Sequence, residues 1–189
     1  MKREKGEPVA AATTTLPLIG DRALLSQLFA EHHRRVLIAA YRITGSMADA
    51  EDVAQAVFLR LATTDGMPVN NARSYLYRAA INGALDLLRK RKAAPTEPLE
   101  QAAHVISTGK GSSPEMDASN LQLAAWLRTA LGEISPRGAE MFALRYLEEF
   151  DNREIAALMR TSQAVVAVTL HQVRSKLKNR LRELERETQ

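Results

Sequence analysis

The chain has no cysteine among its 189 residues. It therefore builds no disulfide framework, no thiolate metal site and no thiol nucleophile. No apolar run approaches the roughly 18 residues that a membrane span needs, so no membrane insertion is expected. The opening MKREKGEPVAAATTTLPLIG begins with charges but lacks the long apolar core of a signal peptide, and residues 1–20 read as a flexible tail. There is no glycine-rich phosphate loop, and no serine–histidine or paired-carboxylate arrangement can be placed. No internal repeat is visible, and no alternating strand pattern competes with the helical one. His32 and His33 are adjacent, diverge by about 100° on a helix and cannot both face one metal. Asp49, Glu51 and Asp52 crowd a first helical turn, where carboxylates are favoured anyway. Glu148, Glu149 and Asp151 read as a solvated connection, and Trp126, spaced helically from Leu123 and Ala130, as core. These absences describe a non-enzyme without metal or cofactor.

What is present is helix, with turn residues between segments. The net charge is +4, a mild excess that suits an anionic partner such as nucleic acid without requiring one. A first helix is expected from Asp21 as N-cap to about Thr44, with Gly45 as its stop. Leu24, Leu25, Leu28, Phe29 and His32 recur along it at three- and four-residue spacing. Ser46 with Asp49 resembles a capping box at the start of a second helix. That helix carries Val53, Val57, Phe58 and Leu61 on one face, and Asp49, Asp52 and Gln55 on another. The segment TTDGMPVNN is a loop on composition.

The stretch RSYLYRAAINGALDLLRKRK, from Arg73 to Lys92, is the richest in chemistry. At helical period Leu76, Ala79, Ala80, Gly83, Leu87 and Leu88 form an apolar stripe. Tyr75, Arg78, Asn82, Asp86 and Arg89 fall largely outside it, and four cations close the helix. Rings, an amide and cations on one side are the parts that hold a nucleic-acid backbone and stack on loosened bases. A core helix with a solvated basic end accounts for the same pattern, because cations are favoured at helix C-termini.

Residues 93–119 hold prolines, glycines, serines and threonines with little periodicity, and read as a flexible linker. Order returns with Leu123, Leu127, Leu131 and Ile134 at regular spacing. Ser135–Pro136 starts another helix, Asp151 with Glu154 caps a short one, and Ser162 caps a long last one. A short helix, a three-residue turn and a longer helix is helix-turn-helix spacing. Ala156 is small where the two helices approach, and Val166, Leu170, Val173 and Leu177 give the second its buried stripe. His171, Arg174, Lys178 and Arg182 lie on an outward face. The fold class expected is all-α, with two small helical domains (21–92 and 120–187) joined by the linker.

Three patterns stand in order: DAEDVAQAVFLRL, ARSYLYRAAINGALDLLRKR and ISPRGAEMFALRYLEEFDNREIAALM. Together they resemble the extracytoplasmic-function sigma factors, the small two-domain promoter-recognition subunits of bacterial RNA polymerase. The resemblance implies a cytoplasmic transcription initiation factor whose partners are core RNA polymerase, promoter DNA and an anti-sigma factor, and which is a monomer when free. Asp49, Asp52 and Gln55 match the polymerase-docking helix, with Phe58 and Leu61 on its packing side. The 63–71 loop, with Asn70 and Asn71, matches the segment that captures a flipped base of the −10 element. Arg73, Tyr75, Arg78, Asn82 and Asp86 match the following helix, which faces promoter DNA, and Arg89, Lys90 and Arg91 extend that face. The C-terminal motif matches the module that reads the −35 element as duplex, and places Arg153, Gln163, Ala167, His171, Arg174 and Lys178 toward DNA.

The chain departs from the family pattern at several points. Ala56 stands where an acidic residue is frequent, and Ile81 replaces a common arginine. Val165–Thr169 replaces the more polar and cationic Thr-Val-Lys-Ser-Arg. Apolar groups there can touch thymine methyls but lose the bidentate pairs worth about 1–3 kcal/mol each. A sigma-like adaptor or decoy that binds an anti-sigma protein and reads DNA poorly is the alternative. A plain helix-turn-helix regulator leaves the N-terminal half unexplained. A coil of about 27 residues averages roughly 30 Å end to end. Promoter elements about 25 base pairs apart lie about 85 Å apart. Two domains tumbling independently, coupled only when polymerase extends the linker, are therefore expected of the free chain.

Overall fold

The computed structural model describes residues 22–63, 72–93 and 114–187. All regular structure among them is α-helix: α1 (Arg22–Thr44), α2 (Met47–Thr63), α3 (Ala72–Ala93), α4 (Pro114–Glu133), α5 (Pro136–Tyr146), α6 (Asn152–Leu158) and α7 (Gln163–Glu187). The all-α, two-domain expectation holds. Asp21 and residues 94–113 of the expected linker lie outside the described residues, while 114–119, also read as linker, open α4.

Helices α1, α2 and α3 form the first bundle. Gly45 ends α1 at φ 71°, and its N–H donates to the Tyr41 carbonyl at 2.8 Å. That left-handed backbone favours glycine. Ser46 Oγ accepts the Asp49 N–H at 3.4 Å, starting α2. Val53, Val57, Phe58 and Leu61 are buried on α2, as their spacing predicts. On α3 the buried set is Ala72, Leu76, Tyr77, Ala80, Ile81, Ala84 and Leu85. The stripe read from sequence is thus turned by part of a helical step, because Ala79, Gly83 and Leu87 line a groove instead. Ile81 is fully buried, so no arginine could sit there without an unpaired charge in the core.

In the second half α5 packs on α7, and α6 packs on both. Pro136 opens α5, although the Ser135 side chain makes no capping bond. Asp151 and Glu154 form the expected capping box, with both bonds at 2.7 Å. In the following turn Arg160 takes φ 49°, and the Thr161 N–H reaches back to the Ala156 carbonyl at 2.9 Å. Ser162 Oγ then accepts the Val165 N–H at 3.2 Å at the head of α7.

The expectation of two independently tumbling domains is corrected: α3 packs against both α4 and α5. Tyr77 is buried and meets Phe150 edge-on, with ring centroids 6.2 Å apart. Arg42 on α1 donates to the Leu147 carbonyl and, at 3.0 Å, to Glu148. Lys92 pairs with Glu133 at 2.8 Å. Arg128 of α4 lies against Gly45, where an added Cβ would come within 2.6 Å of its guanidinium. Tether length says how far apart two domains can be; it says nothing of complementary surfaces that draw them together.

Candidate nucleic-acid interface

Helices α2 and α3 leave a groove of about 510 Å³ between them. Its floor is apolar, from Val53, Val57, Ala79 and Leu87, and its rims carry Asp52, Arg60, Tyr75, Arg78, Asn82 and Lys90. Gly83 sits where a Cβ would come to 3.1 Å from Val53, so its smallness lets the two helices approach. Asp52 and Gln55 project from α2 into solvent. Asp49 does not join them: its carboxylate accepts from Arg91 at 2.6 Å and its side chain is only 13% exposed. This bond fastens the head of α2 to the tail of α3.

The candidate DNA-facing residues of α3 divide by what they touch. Arg73 is exposed and lies over the Tyr77 and Phe150 rings at 5.7 and 5.9 Å. Tyr75 is half-buried at the groove. Arg78 Nε donates to Glu140 Oε1 and Arg78 Nη1 to the Leu158 carbonyl, the latter at 3.0 Å. Asn82 Nδ2 donates to the same Glu140 oxygen at 3.1 Å. Arg89 pairs with Asp86 at 2.8 Å, Arg91 with Asp49, and Lys90 stands exposed on the rim. Asn70 and Asn71 lie outside the described residues. The helix-turn-helix set is separate: Arg153 is exposed on α6, and Gln163, Ala167, His171, Arg174 and Lys178 are all exposed along α7. Val165 and Val168 add an apolar patch beside them, 45% and 57% exposed.

Sequence reading missed Glu140, Arg42 and Tyr77. Glu140 is a buried carboxylate inside an otherwise apolar helix face, and only its long-range partners reveal its role. Tyr77 did carry a signal, because it repeats at four-residue spacing with Ile81 and Leu85. Burial pushes the Glu148 carboxyl above its ordinary value, against the opposing pull of Arg42 and Arg73.

Residues 28–94 match the family model for Sigma-70 region 2, and residues 124–177 that for Sigma-70, region 4. The RNA polymerase sigma factor CarQ of Myxococcus xanthus is 30% identical over 170 residues, covering 89% of this chain and 95% of its own. The chain is an extracytoplasmic-function RNA polymerase sigma factor. The ECF RNA polymerase sigma factor SigW of Bacillus subtilis is 26% identical over 175 residues, covering 87% and 92%. The ferric citrate uptake sigma factor FecI of Escherichia coli is 31% identical over 146 residues, covering 77% and 80%. The fold is that of CnrH, solved in complex with the cytosolic domain of CnrY, at a TM-score of 0.54, 22% identity and coverage of 87% and 91%. The sigma factor is a transcription initiation factor that directs RNA polymerase to promoters. No described helix of it is long and apolar enough to cross a membrane.

Proposed function

We propose that the sigma factor divides its work among three helices, acting in the cytoplasm by binding alone and without bond chemistry of its own. Helix α2 docks on core polymerase through Asp52 and Gln55, while Asp49 holds α3 in register by its bond to Arg91. Helix α3, with Asn70 and Asn71 before it, receives the opened −10 strand: Tyr75 offers a stacking face, Arg78 and Asn82 offer donors, and Lys90 a backbone cation. Helix α7 lies in the −35 major groove, with Gln163, Ala167, Val165 and Val168 toward base edges. His171, Arg174 and Lys178, with Arg153 of α6, run along the phosphates.

The observation that carries this reading is the α2–α3 groove, whose one rim bears Asp52 and whose other bears Tyr75, Arg78 and Asn82. Polymerase-facing and strand-facing groups then lie side by side, as a factor that opens DNA on the polymerase surface requires. A protein partner of the anti-sigma class belongs to the same proposal, and the sigma factor is a monomer when free. Replacing Asp52 and Gln55 together by alanine tests the docking surface. Both residues are exposed, so the double variant keeps its helical content and loses co-purification with core polymerase by about tenfold or more. Undiminished co-purification of the folded variant would remove α2 from the docking surface.

A further inference from the structure

Glu140 is a buried carboxylate on α5 that satisfies itself across the domain boundary. One of its oxygens accepts from Arg78 Nε and from Asn82 Nδ2, the two donors of α3 assigned above to the opened strand. Arg78 sends a second N–H to the Leu158 carbonyl at the end of α6, where the helix dipole places partial negative charge. The C-terminal half thus offers α3 an anionic oxygen and a carbonyl, the groups that a DNA strand would offer through phosphate and base. Around this contact stand Tyr77 against Phe150, Arg42 against Leu147 and Glu148, and Lys92 against Glu133. Two other surfaces stay open: Asp52 and Gln55 on α2, and the outward face of α7 from Gln163 to Lys178.

We propose that the free sigma factor is autoinhibited, with Glu140 standing in for the DNA strand at Arg78 and Asn82, so that polymerase docks on the open α2 face before the strand can enter. This rests on the assignment of Arg78 and Asn82 to the strand. A strand and the C-terminal half compete for one pair of donors, so the measured strand affinity is the affinity of the open form scaled by the fraction open. The inhibition is selective, because duplex meets α7, which α5 and α6 pack from the other side. The free chain therefore accepts duplex and refuses single strand.

The test uses the full chain and two opening variants, Glu140→Ala and Arg42→Ala, neither in the proposed DNA contacts. The sequence has no cysteine, so Ala62→Cys with Asn179→Cys, both exposed, takes a dye pair that reads closure by energy transfer. Binding is measured to a short fluorescein-labelled single-stranded DNA of mixed sequence and to its duplex, at one fixed salt concentration. Losing a charge-assisted contact across this boundary, whether it is buried at Glu140 or leaves the enclosed Glu148 without Arg42, shifts the closed–open balance by about tenfold. Both variants should lose energy transfer and bind single strand about tenfold tighter, with duplex affinity unchanged. Adding Arg78→Ala to either variant should abolish the gain. An opened chain with no gain, whose strand binding still falls on Arg78→Ala, overturns the autoinhibition and leaves the strand assignment standing. An opened chain whose strand binding ignores Arg78→Ala overturns both. Undiminished energy transfer in both variants shows that these contacts do not hold the halves together and overturns the proposal as well.

Discussion

Among single residues, Glu148 gives the domain contact a pH dependence of definite sign. Its carboxyl is raised from an ordinary 4.5 chiefly by burial; Arg42, by charge and hydrogen bond, and Arg73 oppose the rise, and Glu149 adds to it. A carboxyl with a raised folded-state value holds its proton more tightly folded than unfolded. Its contribution to stability is therefore fully present below pH 4.5 and is lost as pH rises through the folded-state value. The Arg42 bond at 3.0 Å does not reverse this, because desolvation of a largely enclosed carboxylate outweighs it. Glu148→Gln keeps an oxygen for Arg42 and removes the charge. Thermal melts of variant and wild type should coincide near pH 4 and diverge above it, with the variant the more stable at pH 7. A variant less stable at pH 7 would show that the ion pair outweighs its burial.

At the scale of the element, the role proposed for α7 is the simplest to test. Val165 and Val168 are apolar and exposed where base edges are expected, while Lys178 stands about three turns farther along α7 among cations. Trimming both valines to alanine should weaken binding to thymine-bearing −35 sites by about 1 kcal/mol per lost methyl contact, and leave the salt dependence unchanged. Lys178→Gln should weaken every duplex alike and flatten the slope of log affinity against log salt by about one. Titrations on paired duplexes at several salt concentrations separate the two, and a salt-slope change in the valine variant would mean that α7 lies otherwise. Helices were the most legible part of the sequence. Caps at Ser46, Asp151 and Ser162, the stop at Gly45 and the turn before α7 are local events written in local residues. The face of α3 was less legible, because alanine, glycine and tyrosine are weak markers of inside and outside. Leu87 reads as core but lines the groove, while Tyr77 is core. The Glu140 contact could not be read at all: its partners lie 58 and 62 residues away, and no local pattern announces them.

For the molecule as a whole, α3 serves both halves: one side completes the first bundle, and another receives α4 and α5. The α3 face proposed to hold a strand is covered by the C-terminal half through Glu140, while Asp52 and Gln55 of α2 and the outward face of α7 stay exposed. On the proposed autoinhibition, docking, opening and strand capture would follow in that order. The most direct measurement is run-off transcription by core polymerase from a library of promoter fragments, with and without the purified chain. Discrete transcripts are expected whose start sites appear only when the chain is added, and which vanish with the Asp52→Ala, Gln55→Ala double variant. Binding of the chain to polymerase without any chain-dependent transcript would contradict this and describe a decoy instead.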